Sequence, residues 1–302
     1  MLDLIAGNAG LRAGLAAALA GGRLGHSVLL CGEAGAGAGY VARCLAADYL
    51  YPQGGPAAEA VARGEAPECL EVRGEGASGE IRIDRIRQVR RDVFSTALSA
   101  SGRVVIVYGA QAMNAHSANA LLKVLEEPPE GVLFILTASS LAAVLPTIRS
   151  RCRAFAVAAP SPGECAGWLK AHCANLSPER AAFLAAVYDG HIGAALAAAT
   201  QPARAQQLQD AQALAQAAAQ KNEYECLRLL AGYEKDKPAA RALLRDFCCL
   251  CAATLRRPGF TPLAAAPAGR AIARAGRTLA ALNGNVNQKL ALTTLGIKLA
   301  RG

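Results

Sequence analysis

The sequence predicts an α/β domain built on a parallel sheet, followed by an all-helical half, and three observations lead there. Short continuous apolar runs, Ser27-Val-Leu-Leu-Cys31, Val104-Val-Ile-Val-Tyr108 and Val132-Leu-Phe-Ile-Leu-Thr137, alternate with segments whose apolar residues recur at helical spacing. Strands that are apolar at every position are buried on both faces, as in parallel sheets covered by helices. Beyond about Phe155 the strand signals end and the periodicity is helical. Alanine fills 70 of the 302 positions, which favours helix wherever packing leaves the choice open.

Taken in order, Leu11 to Ala20 reads as a helix and Ser27 to Gly32 as a buried strand. A glycine-rich turn leads into a helix over Tyr40 to Tyr51. Pro52 to Ala66, rich in Gly, Ala and Pro, reads as a loop or weak helix. Ile83, Ile86, Val89 and Val93 are spaced for one helix face. The strand from Val104 is followed by a helix over Ser117 to Leu125 that stops before Pro128-Pro129, and then by the strand from Val132. Helical patterns fill Ser161 to Ala199, with breaks at Ser177-Pro178 and Asp189-Gly190. From Arg204 onward they resume, interrupted near Pro238 and at Pro258 to Pro267, and the last helix covers about Val286 to Leu299. The stretch Gln206 to Gln220 has a linker's composition, but Leu208, Ala211 and Ala215 give it a weakly amphipathic helical pattern.

Hydrophobic residues at 53% and charged residues at 18% suffice for a packed core and exclude intrinsic disorder. A net charge of +9 suits an acidic partner, yet over 302 residues it is a mild bias rather than a nucleic-acid signature. The uncharged stretch Val104 to Leu122 contains Gln111, Asn114, His116, Ser117 and Asn119, which argues against a membrane span. The opening MLDLIAGNAG has no basic n-region and no unbroken apolar run, so no secretory leader is expected. Ten cysteines without secretion imply free thiols in a reducing cytoplasm.

Gly32-Glu-Ala-Gly-Ala-Gly-Ala-Gly39 lies between a strand and a helix, the context of a phosphate-binding loop whose backbone N–H groups wrap an anion. Gly32, Gly35 and Gly37 supply the glycines. Ala38 stands where such a loop has lysine and Gly39 where it has Ser or Thr, so the phosphate-reaching cation and the magnesium ligand are both missing. The strand ending Val107-Tyr108-Gly109 is also followed by no carboxylate to hold magnesium or polarise water. The loop therefore reads as degenerate and kept for its turn, with weak nucleotide binding through backbone alone as the alternative. No ATP hydrolysis is expected.

Three segments, Ala118-Asn-Ala-Leu-Leu-Lys-Val-Leu-Glu-Glu-Pro-Pro129, Phe134-Ile-Leu-Thr137 and Leu145-Pro-Thr-Ile-Arg-Ser-Arg-Cys152, resemble the clamp-loader branch of the AAA+ proteins of bacterial DNA polymerase III. Gly25-His26-Ser27, Ile83-Asp84-Arg85-Ile86-Arg87 and Asn285-Val-Asn287 are weaker supports, and together the pieces span nearly the whole chain. The resemblance implies an AAA+ domain with a degenerate loop over residues 1–155, a helical lid over 156–203 and a helical collar for oligomerisation over 204–302. It implies that Arg151, between Ser150 and Cys152, reaches into the ATP site of a neighbouring subunit. A guanidinium suits that task because its planar, permanent charge meets a γ-phosphate developing charge. The plainer reading of an exposed arginine, a surface ion pair, stands beside it, and Arg149 lies two residues away.

Other departures have consequences. Gly190-His-Ile-Gly193 is followed by Ala194 where relatives often carry an arginine that contacts nucleotide. Many relatives hold zinc with four cysteines, whereas this chain has only Cys44 and Cys69 in that region, so no metal is expected. Cys248, Cys249 and Cys251 lie in an apolar helical run and read as small packing groups. Arg82, Arg85, Arg87, Arg90 and Arg91 make a basic helix face, readable as a DNA-phosphate surface or as a solvated face. By resemblance that face lines the chamber holding primer-template DNA.

The resulting expectation is a non-hydrolysing cytoplasmic clamp-loader subunit with no cofactor of its own, ATP being bound by its partners. Those partners are ATPase subunits of the tau/gamma type, a delta subunit, the sliding clamp and primer-template DNA, with no membrane. Polymerase activity would belong to the holoenzyme and not to this chain. An atypical AAA+ ATPase and a stand-alone DNA-binding protein are the rival readings.

Overall fold

The computed structural model describes residues 1–75, 79–95, 102–284 and 286–301, so Asn285 lies outside the described residues. They form two compact units, Met1–Pro160 and Ser161–Gly302.

The first unit runs α1 (Ala9–Ala20), β1 (Ser27–Cys31), α2 (Ala38–Leu50), α3 (Pro56–Arg63), β2 (Cys69–Val72), α4 (Ile83–Ser95), β3 (Arg103–Val107), α5 (Ala115–Glu126), β4 (Val132–Ala138), α6 (Pro146–Arg149) and β5 (Arg153–Ala156). The five strands make one parallel sheet in the order β2-β3-β4-β1-β5. Strands β3 and β4 are buried at every residue, and alternate side chains serve opposite faces. Val28, Leu30, Val104, Ile106, Leu133 and Ile135 pack with Leu15 of α1, Leu45 of α2 and Val61 of α3. Leu29, Val105, Val107, Phe134 and Leu136 pack with Ile86 and Val89 of α4 and Leu121 of α5. The expected buried strands are all present.

Two strands carry no sequence signal of that kind, and both are edges. β2 is four residues long and pairs only with β3, Cys69 against Val104, and its Glu71 breaks the apolar run. β5 reads Arg-Ala-Phe-Ala, is largely exposed and pairs only with β1, Val28 against Arg153. A strand with one neighbour and one covered face needs no continuous apolar run. The Pro52 to Ala66 stretch contains the two-turn α3, which opens on Pro56 and ends at Gly64 in the left-handed region, φ 79°. The first unit extends past 155 to 160 because the Val157 N–H donates to Cys31 O at 2.7 Å and the Ala158 N–H to Asn8 Oδ1 at 3.0 Å.

The second unit is all helix: α7 (Pro162–His172), α8 (Pro178–Val187), α9 (Ile192–Thr200), α10 (Pro202–Ala219), α11 (Glu223–Ala231), α12 (Lys237–Arg256), α13 (Ala265–Asn283) and α14 (Gln288–Ala300). Ser161, Ser177, Asn222, Asp236 and Asn287 each cap a following helix with a side-chain oxygen, and Ser161 with Glu164 forms a full capping box. The Gln- and Ala-rich stretch is helix α10, anchored by buried Leu208, Ala211, Leu214 and Ala215. The expected division between 203 and 204 falls in the first turn of α10 and inside this unit. Leu184 of α8, Ala195 of α9, Leu208 of α10 and Phe247 of α12 share one core.

Asp246, 1% exposed, ties these helices together. Its Oδ1 accepts from the Tyr188 hydroxyl at 3.0 Å and from Arg204 Nη2 at 2.9 Å, while Oδ2 is buried with no partner among the described residues. Burial pushes its carboxyl above the usual value of 3.8, opposed by Arg204 and the Tyr188 hydroxyl. With the folded-state value raised, the group's stabilising contribution is complete below the unfolded value and is lost as pH rises through the folded one. Removing Arg204 deepens that loss. Arg204→Met is expected to destabilise the chain by about 2 kcal/mol at pH 7, and by far less at pH 3.5, in urea unfolding at the two pH values. An equal loss at both would exclude the carboxylate as its source.

Candidate functional site

The glycine-rich loop keeps the strand–turn–helix form expected of it. Gly35 and Gly37 occupy positive φ, 96° and 97°, and α2 starts at Ala38 with Gly37 as its cap. Gly32 is required by packing: a Cβ there would lie 2.3 Å from Val157 O. Its N–H donates to Ala138 O at 3.0 Å, continuing the β1–β4 ladder. At Gly39 a Cβ would lie 3.0 Å from Cε1 of Tyr108. The aromatic ring just after β3 thus crowds any side chain placed at position 39.

Tyr108 is held there by neighbours from β2. Its hydroxyl donates to Glu71 Oε1 at 2.6 Å, and the Arg73 guanidinium lies over its ring, 3.6 Å from the centroid. Burial, then the Glu71 contact, pushes the phenol well above its usual value. Glu71 also meets Arg73 at 3.0 Å and Arg43 at 4.0 Å. This carboxylate, beside the strand end and already engaged, could not be placed from sequence because β2 was not legible. Thr137, at the end of β4, accepts from the Gly109 N–H at 3.0 Å.

Arg151 sits on the turn that follows α6. Its N–H donates to Ile148 O at 3.1 Å, and the Ser150 hydroxyl donates to Thr147 O at 3.1 Å. Cys152 packs against the α4–α5 core, and burial pushes its thiol up to about 12. Ser150 and Cys152 therefore build and anchor the turn that presents the arginine. The Arg151 side chain is 35% exposed and meets Glu126 Oε1, at the end of α5, at 2.5 Å through Nη2. Nη1 donates to Thr147 O at 3.0 Å and Ser150 Oγ at 3.3 Å. Glu126 was not singled out from sequence, although it lies within the Leu-Glu-Glu-Pro-Pro segment. Arg149 is exposed in the last turn of α6.

The five arginines near α4 are all exposed but do not form one face. Arg82 precedes the helix, and Arg85 donates to Glu71 O at 3.3 Å. Arg87, Arg90 and Arg91 line one concave patch with Phe94, itself 57% exposed. Arg87 pairs with Asp84 at 3.5 Å, and Arg91 bonds to Gln88. In the second unit, Ala194 lies in the first turn of α9, after Gly190 at φ 82°.

Among the described residues no cluster of three His, Cys, Asp or Glu side chains is arranged to hold a metal, and no helix is long and apolar enough to cross a membrane. All ten cysteines are free. Burial pushes Cys248 and Cys249 up to about 11 and Cys251 up to about 12.

Residues 8–161 match the protein family described as DNA polymerase III, delta subunit. The DNA polymerase III subunit delta' of Pseudomonas aeruginosa is 36% identical over 156 residues, covering 48% of this chain and 46% of that one. The DNA polymerase III subunit gamma/tau of Mycobacterium bovis is 35% identical over 155 residues, covering 49% of this chain and 27% of its own length. The matched part thus spans about half, or less, of these relatives. Among solved structures, a DNA polymerase III gamma subunit-related protein of Thermotoga maritima superposes with a TM-score of 0.59 at 19% identity, over 92% of this chain and 95% of that one, a likeness of fold.

Proposed function

We propose that the chain, which belongs to the DNA polymerase III delta-subunit family and resembles delta' subunits, is a clamp-loader subunit of the delta prime kind that works without hydrolysing ATP itself. In this reading it assembles in the cytoplasm with tau/gamma-type ATPase subunits and a delta subunit. It lends Arg151 to a neighbour's nucleotide while the sliding clamp is loaded onto primed DNA. Helices α7 to α9 act as lid and α10 to α14 as collar.

The observation that carries this reading is the pairing of a loop without cation or hydroxyl with an arginine held at the surface on an exchangeable ion pair. Ala38 brings no cation to a phosphate, and Tyr108 fills the place beside Gly39. Glu71, the carboxylate that meets Tyr108, is engaged also by two arginines. Arg151 is carried on a surface turn, where it pairs with Glu126 and keeps a third of its side chain in solvent. Such a chain can complete a nucleotide site that is not its own. Arg87, Arg90 and Arg91 would add salt-sensitive phosphate contacts without reading sequence.

Titrating the purified chain into the ATPase and delta subunits, with clamp and primed DNA, tests this. We expect no magnesium-dependent turnover by the chain alone, and DNA-stimulated turnover that rises and saturates at a fixed stoichiometry. Turnover by the chain alone would replace this reading with an atypical ATPase. Tight binding to primed DNA without association with the other subunits would replace it with a stand-alone DNA-binding protein.

A further inference from the structure

The Arg151 guanidinium is already engaged within its own chain. A carboxylate oxygen of Glu126 lies 2.5 Å from Nη2, while Nη1 is turned onto Thr147 O and Ser150 Oγ. Glu126 is the last residue of α5, at the negative end of the helix dipole, where a carboxylate is disfavoured unless a cation is brought to it. The two side chains are 35% and 47% exposed, so water competes for both and the pair is readily exchanged. A carboxylate and a terminal phosphate satisfy the same planar fork of donors.

We propose that Glu126 is a positioning residue for Arg151: its carboxylate stands in for a phosphate, holding the guanidinium on the chain's own turn until a neighbour's nucleotide displaces it. This rests on Arg151 acting in trans as described above. The exchange keeps the arginine ordered at the subunit surface and makes its transfer conditional on an anion that competes better than a carboxylate. Because Glu126 opposes engagement in the ground and transition states alike, its removal changes apparent nucleotide affinity and leaves the chemical step untouched.

The test uses the fully assembled loader with primed DNA, carrying Glu126→Gln, Arg151→Ala, both or neither, with ATP varied. For Glu126→Gln we expect KM for ATP to fall about 2–5-fold with kcat unchanged, the span set by exposed ion pairs. In the Arg151→Ala background the same substitution should change nothing. Persistence of the KM change without Arg151, a fall in kcat, or an unchanged KM while Arg151→Ala abolishes turnover would each overturn the role of Glu126 alone. Normal turnover by an assembled Arg151→Ala loader would instead remove the trans-acting arginine, and this proposal with it. Thermal melting of the Glu126→Gln chain separates any structural effect, and a native melting temperature is expected for so exposed a side chain.

Discussion

Arg151→Ala in the assembled loader is expected to lower ATP turnover at the adjoining site by about 10³-fold or more, the range in which a trans-acting arginine operates. The substitution leaves the protein's core untouched. Arg151 lies on a turn whose geometry comes from backbone bonds and from Ser150, and Cys152 holds the turn against the core. Assembly, measured by sedimentation, should be native, and so should the melting temperature of the chain. The loss should appear in kcat more than in KM, because charge on the transferred phosphate grows toward the transition state. Arg149→Ala, two residues away on the exposed end of α6, should change turnover by less than about 3-fold, on the scale of an exposed side chain without a reacting partner. Normal turnover in an assembled Arg151→Ala loader would leave the chain a scaffold.

The second large effect is on stability. Gly32→Ala is expected to cost about 3 kcal/mol, because the added methyl meets a carbonyl oxygen at 2.3 Å and that oxygen belongs to backbone. Val157, which supplies it, is 4% exposed and tied to Cys31 O through its own N–H, so it cannot step aside without breaking the end of the sheet. Calorimetry should show the melting temperature of the first unit lowered by about 6–12 °C. Gly37→Asn is the contrast. Its positive φ tolerates asparagine and nothing lies within 4 Å of its added Cβ, so about 1 kcal/mol is expected. Equal losses at the two positions would exclude packing as the reason Gly32 is a glycine.

The three central strands were legible because each is buried on both faces and therefore apolar apart from Ser27, Arg103 and Thr137 toward their ends. β2 and β5 were not, since an edge strand with a polar or exposed side leaves only a short mixed run. That gap also hid part of the site. Glu71 reaches Tyr108 across 37 positions only because β2 lies beside β3 with Glu71 opposite Ile106. Glu126 and Arg151 meet because the end of α5 lies by the turn after α6, a tertiary fact that no spacing in the sequence carries. The arginines near α4 were legible as exposed. Arg85, however, turns back onto the Glu71 carbonyl, and only Arg87, Arg90 and Arg91 share a patch. The missing lysine and hydroxyl of the loop needed no structure, since Ala38 and Gly39 carry neither a cation nor a hydroxyl on their side chains.

The tyrosine wedged against Gly39 makes the present state of the loop hard to reverse one step at a time. A lysine restored at position 38 would still face a loop with no hydroxyl beside it. A serine at 39 would crowd the ring of Tyr108, its Cβ lying 3.0 Å from Cε1, so the ring would have to give by a few tenths of an ångström. Shrinking Tyr108 to admit the serine would strip Glu71 of its phenol partner and leave Arg73 without the ring it covers. The packing around Tyr108 therefore couples position 39 to Glu71 and Arg73, so that a side chain added at 39 acts on β2 as well as on the loop.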